Sequence, residues 1–428
     1  MSGSRPTPHP EYDVIVIGGG PAGATAGAYL ARGKLRVLVL EKEHFPRFAI
    51  GESLLPYSND ILRDLGVFET LGQKGFTRKY GAEFCSGDGT RFQRFWFAKS
   101  LPADYAQTFQ VDRATFDQIL LEKAESEGCT VLQGARVTRL VCSAPDELQQ
   151  IEFESLTGPQ SVCANWILDA SGRGGFAGNA LRIPKRQTQK TRRVAVYGHF
   201  TGVLRNGGKA GGHTTIVRFK GGWFWLIPLA NDVTSVGLVL PVETLRAAGG
   251  KLDAVFDAAV KANPELLGRM ARAQTTVPLR ATADYSWRFR SFATPRLLLA
   301  GDAAGFVDPI FSSGVMLALK SGRLAARAIL RAEAEGRRLS AAQQKAYTRE
   351  VAACMDLYHG IINAFYSRAG FEIFMNPAAF LQLPVSLANL VGGRTDLPFG
   401  LLWRLLVFRF LCGIQRVFNI APPIPSLR

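Results

Sequence analysis

The feature of this sequence that most constrains its fold is a glycine loop placed between two apolar runs near the N-terminus. Tyr12–Ile17 is almost continuously apolar, as expected for a parallel strand that is buried on both faces. Small residues suited to a closely packed helix follow the loop as far as Arg32, and a second apolar run ends in Glu41. The loop itself fits GxGxxG through Gly18, Gly20 and Gly23. This order of strand, glycine loop, helix, strand and acid predicts a βαβ unit that binds a dinucleotide.

The chemistry of such a unit assigns roles to individual residues. Glycines let the backbone approach a pyrophosphate, and the helix N-terminus supplies unpaired N–H donors and a positive dipole end. The expected contacts are Gly18, Gly20, Ala22 and Gly23. Glu41 stands where an acidic side chain binds a ribose hydroxyl. A surface acid at a strand end is the alternative, and the surrounding motif favours the ribose role.

Length and cysteine usage limit the class of protein. A chain of 428 residues with 47% apolar content predicts a large core, in two domains or in one domain with a large insertion. The six cysteines form no CxxC pair or Cys/His cluster, so we expect neither a metal site nor a disulfide framework. The N-terminal residues lack the apolar segment of a secretory signal, which predicts a cytoplasmic protein.

The charge of the chain favours an acidic partner or surface. Its formal net charge is +16, which is compatible with anionic lipid or an acidic carrier protein. The densest basic stretch consists of Arg182, Lys185, Arg186, Lys190, Arg192 and Arg193. No aromatic residues are interleaved with it and no nucleic-acid-binding module is recognisable, so we do not expect nucleic acid as a partner.

Two later segments resemble the FAD-contact motifs of flavoprotein monooxygenases related to hydroxybenzoate hydroxylase. The first, Gly301-Asp302-Ala303-Ala304-Gly305, follows an apolar run at 296–300, and the second is Val111-Asp112-Arg113. The resemblance implies that Asp302 hydrogen-bonds the ribityl chain of FAD, that Gly305 lies at the cofactor and that Arg113 lies near its phosphates. Asp169–Arg173 falls where relatives have a short glycine turn after a strand.

The resemblance covers about residues 12–335 and implies an α/β fold. It predicts a Rossmann-like FAD-binding domain of the glutathione-reductase type, an interleaved antiparallel-sheet substrate domain and a C-terminal helical tail. The FAD-binding domain is expected to comprise 1–80, 109–185 and 291–340. The substrate domain is expected to comprise 81–108 and 186–290, and the helical region 341–428.

Further motifs indicate the subgroup. The segment Phe45–Pro56, which contains Arg47 within FPR and then GES, resembles flavin-dependent halogenases and their geranylgeranyl-reductase-like relatives. The resemblance implies that Arg47 binds the cofactor. Trp223-Phe224-Trp225-Leu226-Ile227-Pro228 matches the WxWxIP pattern associated with halogenases. Two core aromatics on one face of a strand are the alternative, but two tryptophans with Ile-Pro at this spacing are compositionally rare and favour the pattern.

The segment after Gly305 supplies a candidate halide site. Phe306–Gly314 fits FxxPxxSxG, with Pro309 at its centre, and leads into a helix that we expect to begin near Val315. In halogenases the backbone at the positions matching Ser313 and Gly314 lies beside the flavin and holds the halide. A helix N-terminus is physically suited to an anion. N-capping alone is the other interpretation, and the two are compatible.

The candidate catalytic residue is Lys79. It lies in Arg78–Phe84, which resembles the strand that carries the essential lysine of phenol and pyrrole halogenases. The resemblance implies that FADH2, O2 and chloride or bromide yield hypohalous acid, which passes to this amine and then to an electron-rich ring. A solvated surface lysine is the alternative.

One departure from the family narrows the substrate. Tryptophan halogenases have a catalytic glutamate at the position of Phe311, which disfavours free tryptophan and favours a phenol or pyrrole, free or bound to an acyl-carrier protein. A second dinucleotide fingerprint is missing, which weakly favours a separate NAD(P)H flavin reductase. The runner-up is an alkene reductase or hydroxylase of the geranylgeranyl-reductase-like branch, and a non-enzymatic flavoprotein ranks last.

The C-terminal region contains a third kind of pattern, an amphipathic helix over 401–418. Arg404, Arg409, Gln415 and Arg416 fall on one arc and leave a wide apolar face. The arginines make a membrane span a poor interpretation. Peripheral contact with anionic lipid, docking on the protein's own core and a lid over a hydrophobic substrate remain open.

Overall fold

The computed structural model describes residues 11–141, 148–189, 191–284, 286–376 and 381–427. Cys142 and Lys190 lie outside these ranges. The first ten strands in these ranges are β1 (Tyr12–Ile17), β2 (Val37–Glu41), β3 (Thr77–Lys79), β4 (Gly81–Ser86), β5 (Phe92–Trp96), β6 (Thr108–Gln110), β7 (Thr130–Gln133), β8 (Arg136–Val141), β9 (Gln149–Ser155) and β10 (Gly158–Asp169). The others are β11 (Lys185–Gln187), β12 (Arg193–Thr201), β13 (Thr214–Phe219), β14 (Gly222–Pro228), β15 (Thr234–Pro241), β16 (Gln274–Asp284), β17 (Trp287–Phe289), β18 (Leu297–Leu299) and β19 (Gly305–Phe306).

The helices begin with the predicted dinucleotide helix and end with the C-terminal tail. They are α1 (Pro21–Arg32), α2 (Asn59–Asp64), α3 (Phe68–Gln73), α4 (Phe97–Ser100), α5 (Arg113–Ser126), α6 (Phe176–Ala180) and α7 (Val242–Ala247). After these come α8 (Leu252–Lys261), α9 (Pro264–Met270), α10 (Gly314–Glu335), α11 (Ala341–Tyr366), α12 (Arg368–Met375), α13 (Leu383–Val391) and α14 (Phe399–Gln415). None of the helices in the described ranges is long and apolar enough to cross a membrane.

The first large sheet has the strand order β7-β2-β1-β10-β9-β8, with β18 paired to β10. The pairs β1–β2, β1–β10, β2–β7 and β10–β18 are parallel, whereas β8, β9 and β10 pair antiparallel. Val14–Ile17 is buried on both faces, as the continuous apolar run predicts. Helices α1 and α10 pack against each other, and the missing side chain of Gly322 admits the carbonyl oxygen of Ala22.

The second large sheet has the order β16-β12-β15-β14-β13-β4-β5. Its pairs are antiparallel except β4–β13, which is parallel, so the predicted antiparallel sheet contains one parallel pair. Two smaller sheets, β11-β17-β19 and β3-β6, complete the described strands. The predicted α/β fold with a Rossmann-like unit, a second sheet and C-terminal helices is confirmed. The exact domain boundaries stay a prediction.

Helix α14 packs one face on α12 and α13. Its buried side chains are Leu401, Leu405, Phe408, Cys412 and Gln415. Gln415 is therefore not on the exposed polar arc where the helical periodicity placed it. Its amide donates to Oε2 of Glu372 at 2.8 Å and to the carbonyl of Ala421 at 3.0 Å, which replaces its hydration on burial. The opposite face keeps apolar side chains exposed, including Leu406 and Phe410.

Candidate functional site

A cavity of about 900 Å³ lies between the two large sheets. Its walls come from the loops after β1, β2 and β10 and from side chains of β12, β13 and β14. This volume is typical of a cofactor site. The predicted site residues that border it are Gly18, Gly20, Ala22, Glu41, Arg47, Arg113, Trp223, Trp225, Asp302, Pro309 and Gly314.

Five predicted site residues do not border this cavity: Gly23, Lys79, Pro228, Gly305 and Ser313. The two glycines allow close packing of backbone instead. A Cβ on Gly23 would lie 1.9 Å from the carbonyl oxygen of Gly18, and a Cβ on Gly305 would lie 2.6 Å from the Cβ of Arg288. Their effect on a cofactor would therefore be indirect, through the shape of the loops.

The dinucleotide end of the cavity is formed by the start of α1. Gly18 has φ +100°, and a Cβ there would lie 2.5 Å from the carbonyl oxygen of Ala170, so only glycine fits. Gly20 is the N-cap, Pro21 opens the helix, and no side chain caps it or adds an acid to its first turn. The first-turn amides are consequently free of intrahelical partners. These donors, beside a glycine loop and two arginines, fit the pyrophosphate of FAD.

Glu41 holds the glycine loop in place. Its Oε2 accepts a hydrogen bond from the amide of Gly19 at 2.7 Å, and its Oε1 accepts one from the amide of Glu43 at 2.9 Å. The side chain is 4% exposed and borders the cavity. Each carboxylate oxygen retains acceptor capacity, so the predicted ribose contact is compatible with this structural role.

Arg47 and Arg113 converge on one carboxylate that the sequence analysis did not single out. Arg113 makes two 2.8 Å bonds to the buried Asp117, and the guanidinium of Arg47 lies 3.2 Å from the same side chain. The i,i+4 spacing of Arg113 and Asp117 on α5 was the available signal. Asp117 fixes both guanidiniums at the cavity wall, where they favour an anion.

Asp302 borders the same cavity. Its Oδ2 lies 3.9 Å from Nε of Arg173, whose guanidinium stacks on the ring of Phe306 at 4.4 Å. The motif Asp169–Arg173 therefore brings a cation to the predicted ribityl aspartate. Arg173 and Phe306 also line the cavity.

The candidate halide site lies where α10 begins, one residue before the predicted start. Ser312 has a left-handed φ of 55° and turns the chain, and Ser313 is the N-cap. Ser313 is fully buried, and its Oγ has no hydrogen-bond partner among the described residues. An unpaired buried hydroxyl is costly, and a helix N-terminus without a side-chain cap or a first-turn acid is suited to an anion. Gly314 exposes this end to the cavity.

A buried hydrogen-bond network links Trp223 to the halide segment. Nε1 of Trp223 donates to the hydroxyl of Tyr366 at 2.7 Å, and that hydroxyl donates to Oδ2 of Asp308 at 2.8 Å. Asp308 accepts from the amide of Ile310 at 3.1 Å and so caps the short turn before Ser312. Burial raises the pKa of Asp308. Tyr366, at the end of α11, thus joins the C-terminal helices to the candidate site, and no local motif indicated it.

The side chain of Phe311 points into an aromatic cluster. Its ring centroid lies 5.9 Å from that of Phe84, 5.7 Å from that of Phe365 and 6.1 Å from that of Phe374. All four rings are buried. The position that matches the glutamate of tryptophan halogenases is therefore part of an apolar core in this chain.

Lys79 is 1% exposed, which is inconsistent with a solvated surface lysine. Its Nζ donates to Oγ of Ser53 at 2.7 Å and to the carbonyl of Leu54 at 3.0 Å. No carboxylate among the described residues pairs with it. Burial lowers the pKa of Lys79 from 10.5 to about 7.

Ser53 connects Lys79 to the cavity. Ser53 borders the cavity, and its hydroxyl accepts the bond from Lys79 and lies 2.8 Å from Oγ1 of Thr214. The neighbouring Glu52 also borders the cavity and lies 2.6 Å from Nε2 of His199. Sequence reasoning quoted both residues within GES without a role. Among the described residues, no cluster of His, Cys, Asp and Glu is suited to a metal ion.

Comparisons with known proteins place the chain in a family. A family model described as an FAD binding domain matches residues 11–355. The chain is 32% identical over 346 residues to the 1H-pyrrole-2-carbonyl-(peptidyl-carrier protein) chlorinase of Pseudomonas fluorescens, covering 75% of this chain and 76% of that protein. It is 35% identical over 320 residues to the tryptophan 2-halogenase of Chondromyces crocatus, covering 74% of this chain but only 60% of that protein's length.

Solved structures agree with these relatives. The flavin-dependent brominase Bmp2 superposes with a TM-score of 0.84 at 28% identity, covering 95% of this chain and 99% of the brominase. A flavoprotein/dehydrogenase from Cytophaga hutchinsonii superposes with a TM-score of 0.85 at 25% identity, covering 95% and 99%. The FAD-binding family model and the halogenase relatives agree with the glycine loop, the uncapped start of α1 and the two arginines that border the cavity. The chain belongs to the FAD-binding flavoproteins of the flavin-dependent halogenase family.

Proposed function

We propose that the protein is a flavin-dependent halogenase, which uses reduced FAD, O2 and chloride or bromide to halogenate an electron-rich aromatic ring. The observation that carries this proposal is the buried amine of Lys79, which is hydrogen-bonded to Ser53, a residue that borders the dinucleotide cavity. A hydroxylase or reductase has no evident need for such an amine, whereas an electrophilic halogen does.

The proposed roles of the residues follow from their positions. Bound FAD, once reduced, supplies with O2 the oxidising equivalents that convert halide to hypohalous acid. The unpaired amides at the start of α10, with the buried Ser313, hold the halide. Trp223 and Trp225 form an apolar wall that limits water at the oxidised halogen.

Lys79 receives the oxidant and positions it, either by a hydrogen bond or as a haloamine. If the haloamine forms, an N–Cl bond replaces an N–H bond and the O–Cl bond of hypochlorous acid breaks, with release of water. The reacting form is the neutral amine. Because burial lowers the pKa of Lys79 to about 7, the neutral fraction rises as the pH passes upward through that value. We expect the halogenation step to increase over the same interval.

The substrate class that we propose is a phenol or a pyrrole. Such rings are activated by their own heteroatom, and Phe311 supplies no carboxylate to assist a less activated one. The relative named for pyrrole on a peptidyl-carrier protein supports a carrier-bound substrate, and the net charge of +16 is suited to an acidic carrier. The relative named for tryptophan makes indoles the contrasting class to test.

Two further partners belong to this proposal. A separate NAD(P)H flavin reductase supplies reduced FAD, because the sequence has one dinucleotide fingerprint.

Peripheral membrane contact would involve the exposed face of α14, where Leu402 and Leu406 lie beside the exposed Arg409. Co-sedimentation with anionic phospholipid vesicles tests this contact, and a Leu402→Glu/Leu406→Glu variant that sediments as well as the parent would contradict it.

The alternative is an alkene reductase or hydroxylase. The structural similarity to a flavoprotein/dehydrogenase supports this alternative. The mass of the product separates the candidates, because a halogenase adds halogen, a reductase adds two hydrogens and a hydroxylase adds one oxygen.

The experiment is high-resolution mass spectrometry of reactions that contain the protein, FAD, a flavin reductase, NADH, O2 and chloride or bromide. Phenolic, pyrrolic and indolic probes are supplied free, and the first two also on a carrier protein. A halogenated product supports the proposal. A gain of two hydrogens or one oxygen, with no halogen, would move the protein to the alternative.

A pair of variants tests the role of the amine. Lys79→Met keeps the apolar stem and removes the amine, so halogenation should vanish while FAD binding and NADH-driven O2 consumption persist. Arg78→Met is the matched control, because Arg78 is the exposed neighbour on β3. Loss of FAD from Lys79→Met would make Lys79 a structural residue.

A further inference from the structure

A second cavity, of about 390 Å³, lies outside the candidate site. It is lined by Arg186 of β11, Arg288, Phe289, Arg290 and Phe292 in and after β17, and Thr348 and Ala352 of α11. Three arginines therefore line one small space, and Arg186 and Arg290 are also exposed to solvent. None of its lining residues has a role in the halogenation chemistry proposed above.

The pairing of the strands makes this arrangement costly by itself. β11 and β17 are antiparallel, and their register puts Arg186 directly opposite Arg288. Like charges in such a pair are destabilising. Among the described side chains, one carboxylate is paired with the three arginines: Oδ1 of Asp356 lies 2.7 Å from Arg288, and its side chain is 56% exposed. Within the described part of the chain, the group therefore retains two uncompensated positive charges.

Neighbouring groups indicate the chemistry of a ligand. The hydroxyl of Thr348 accepts a bond from the amide of Phe292 at 3.1 Å, so its proton remains available for an acceptor. Burial lowers the pKa of His359 on the same helix, an effect that Asp356 opposes and that the positive charges of Arg288 and Arg186 reinforce. Three arginines against the single Asp356 leave the region with a net positive charge.

We propose that this second cavity binds the phosphate group of an organic phosphate ester. Guanidinium forks match phosphate oxygens in a bidentate geometry, and a doubly charged ester balances the two uncompensated charges. A halide has one charge and no directional acceptors, and a carboxylate would balance only one guanidinium. Phe289, Phe292 and Ala352 line the rest of the cavity, which favours an ester with organic structure beside the phosphate.

Two sources of this chemistry are distinguishable by paired probes. One is a phosphopantetheine arm, represented by 4′-phosphopantetheine with pantetheine as its unphosphorylated control. The other is a phosphorylated nucleotide, represented by NADPH with NADH as its control. Calorimetric titration of the FAD-saturated protein measures each affinity, so the pyrophosphate site is already filled.

We expect one phosphorylated probe to bind at least about tenfold more tightly than its control, because charge-assisted bonds to guanidinium are lost without the phosphate. Arg186→Gln/Arg290→Gln should remove that difference. The matched control is Arg272→Gln. This change removes an exposed arginine that lies just before the first residue of β16 and does not line the second cavity. FAD content and melting temperature establish that each variant is folded. Equal binding by the parent and Arg186→Gln/Arg290→Gln, or no preference for either phosphorylated probe, would overturn the proposal.

Discussion

Two long helices begin at the main cavity without a capping side chain, whereas two others, of which α5 also reaches the cavity through Arg113, begin with one. Helices α1 and α10 pack together, begin at the cavity and have neither a capping side chain nor an acid in the first turn. In contrast, α5 begins with Asp112, whose side chain accepts from the amide of Thr115, and α11 begins with a capping box of Ser340 and Gln343. Capping satisfies the free amides internally. The uncapped pair is therefore where an external anion is expected.

The surroundings of the two uncapped ends differ in charge and in size. Arg47 and Arg113 stand near α1, which suits a large anion with two charges such as a pyrophosphate. Pro309 and the buried Ser313 precede the start of α10, and the uncharged Trp223 lines the same cavity, which suits a small anion with one charge. The same backbone device is thus adapted to two ligands by the side chains around it.

The largest expected effect comes from an acid placed at the start of α1. Ala22→Asp sets a carboxylate among the amides that face the pyrophosphate, so the Kd of FAD should rise more than about hundredfold by like-charge repulsion. An acid in the first turn favours the helix itself, so the fold should persist. Fluorescence titration with FAD measures the Kd, and Ala22→Asn separates charge from size. Equal losses in both variants would contradict an electrostatic role.

The same change at α10 should act on the halide and not on FAD. Ser313→Asp should raise the KM for chloride or bromide at least about tenfold while FAD affinity is unchanged. Ser313→Asn is the isosteric neutral control. The measurement is halogenated product against halide concentration at saturating FAD. If Ser313→Asp weakened FAD and left the halide KM unchanged, the two helix ends would not have separate ligands.

Removal of a single hydroxyl should have a smaller effect on the halide end. Tyr366→Phe leaves Nε1 of Trp223 and one oxygen of Asp308 without that partner, which should lower the free energy of unfolding by about 1–3 kcal/mol. The halide KM should rise severalfold because Asp308 caps the turn before Ser312. Tyr347→Phe is the control, since Tyr347 lies on the same helix and its hydroxyl donates to the backbone carbonyl of Leu299. If both variants changed the halide KM equally, Tyr366 would have no specific positioning role.

The contrast between the helix ends also explains what the sequence predicted well. Strand Tyr12–Ile17 has the predicted bounds, and α10 begins one residue from its predicted start. Both predictions rest on local patterns, because an apolar run or a glycine loop determines the conformation of the residues next to it. The interleaving of two sheets followed from resemblance to a family and not from any local pattern.

Features that depend on distant segments were missed. The bond between Tyr366 and Trp223 joins residues 143 positions apart, and no periodicity in either segment indicates it. Its motif singled out Lys79, but the pattern of its short strand is compatible with exposure, and its burial involves Ser53 and Leu54 from another segment. Gln415 was placed on a polar arc because helical periodicity does not include its buried partner Glu372.

The smallest expected effect is at a capped helix end. It tests whether a capped end has no role in binding a ligand. Ser340→Ala removes the oxygen that accepts from the amide of Gln343 at 3.3 Å, so the free energy of unfolding should fall by about 1 kcal/mol. FAD affinity and the halide KM should not change, because Ser340 does not border the cavity. Denaturant unfolding and the two titrations measure these quantities. A changed halide KM would mean that the stability of the α11 N-terminus affects Tyr366 at the other end of the helix. The capped and uncapped helix ends would then differ in their distance from the ligand and not in their function.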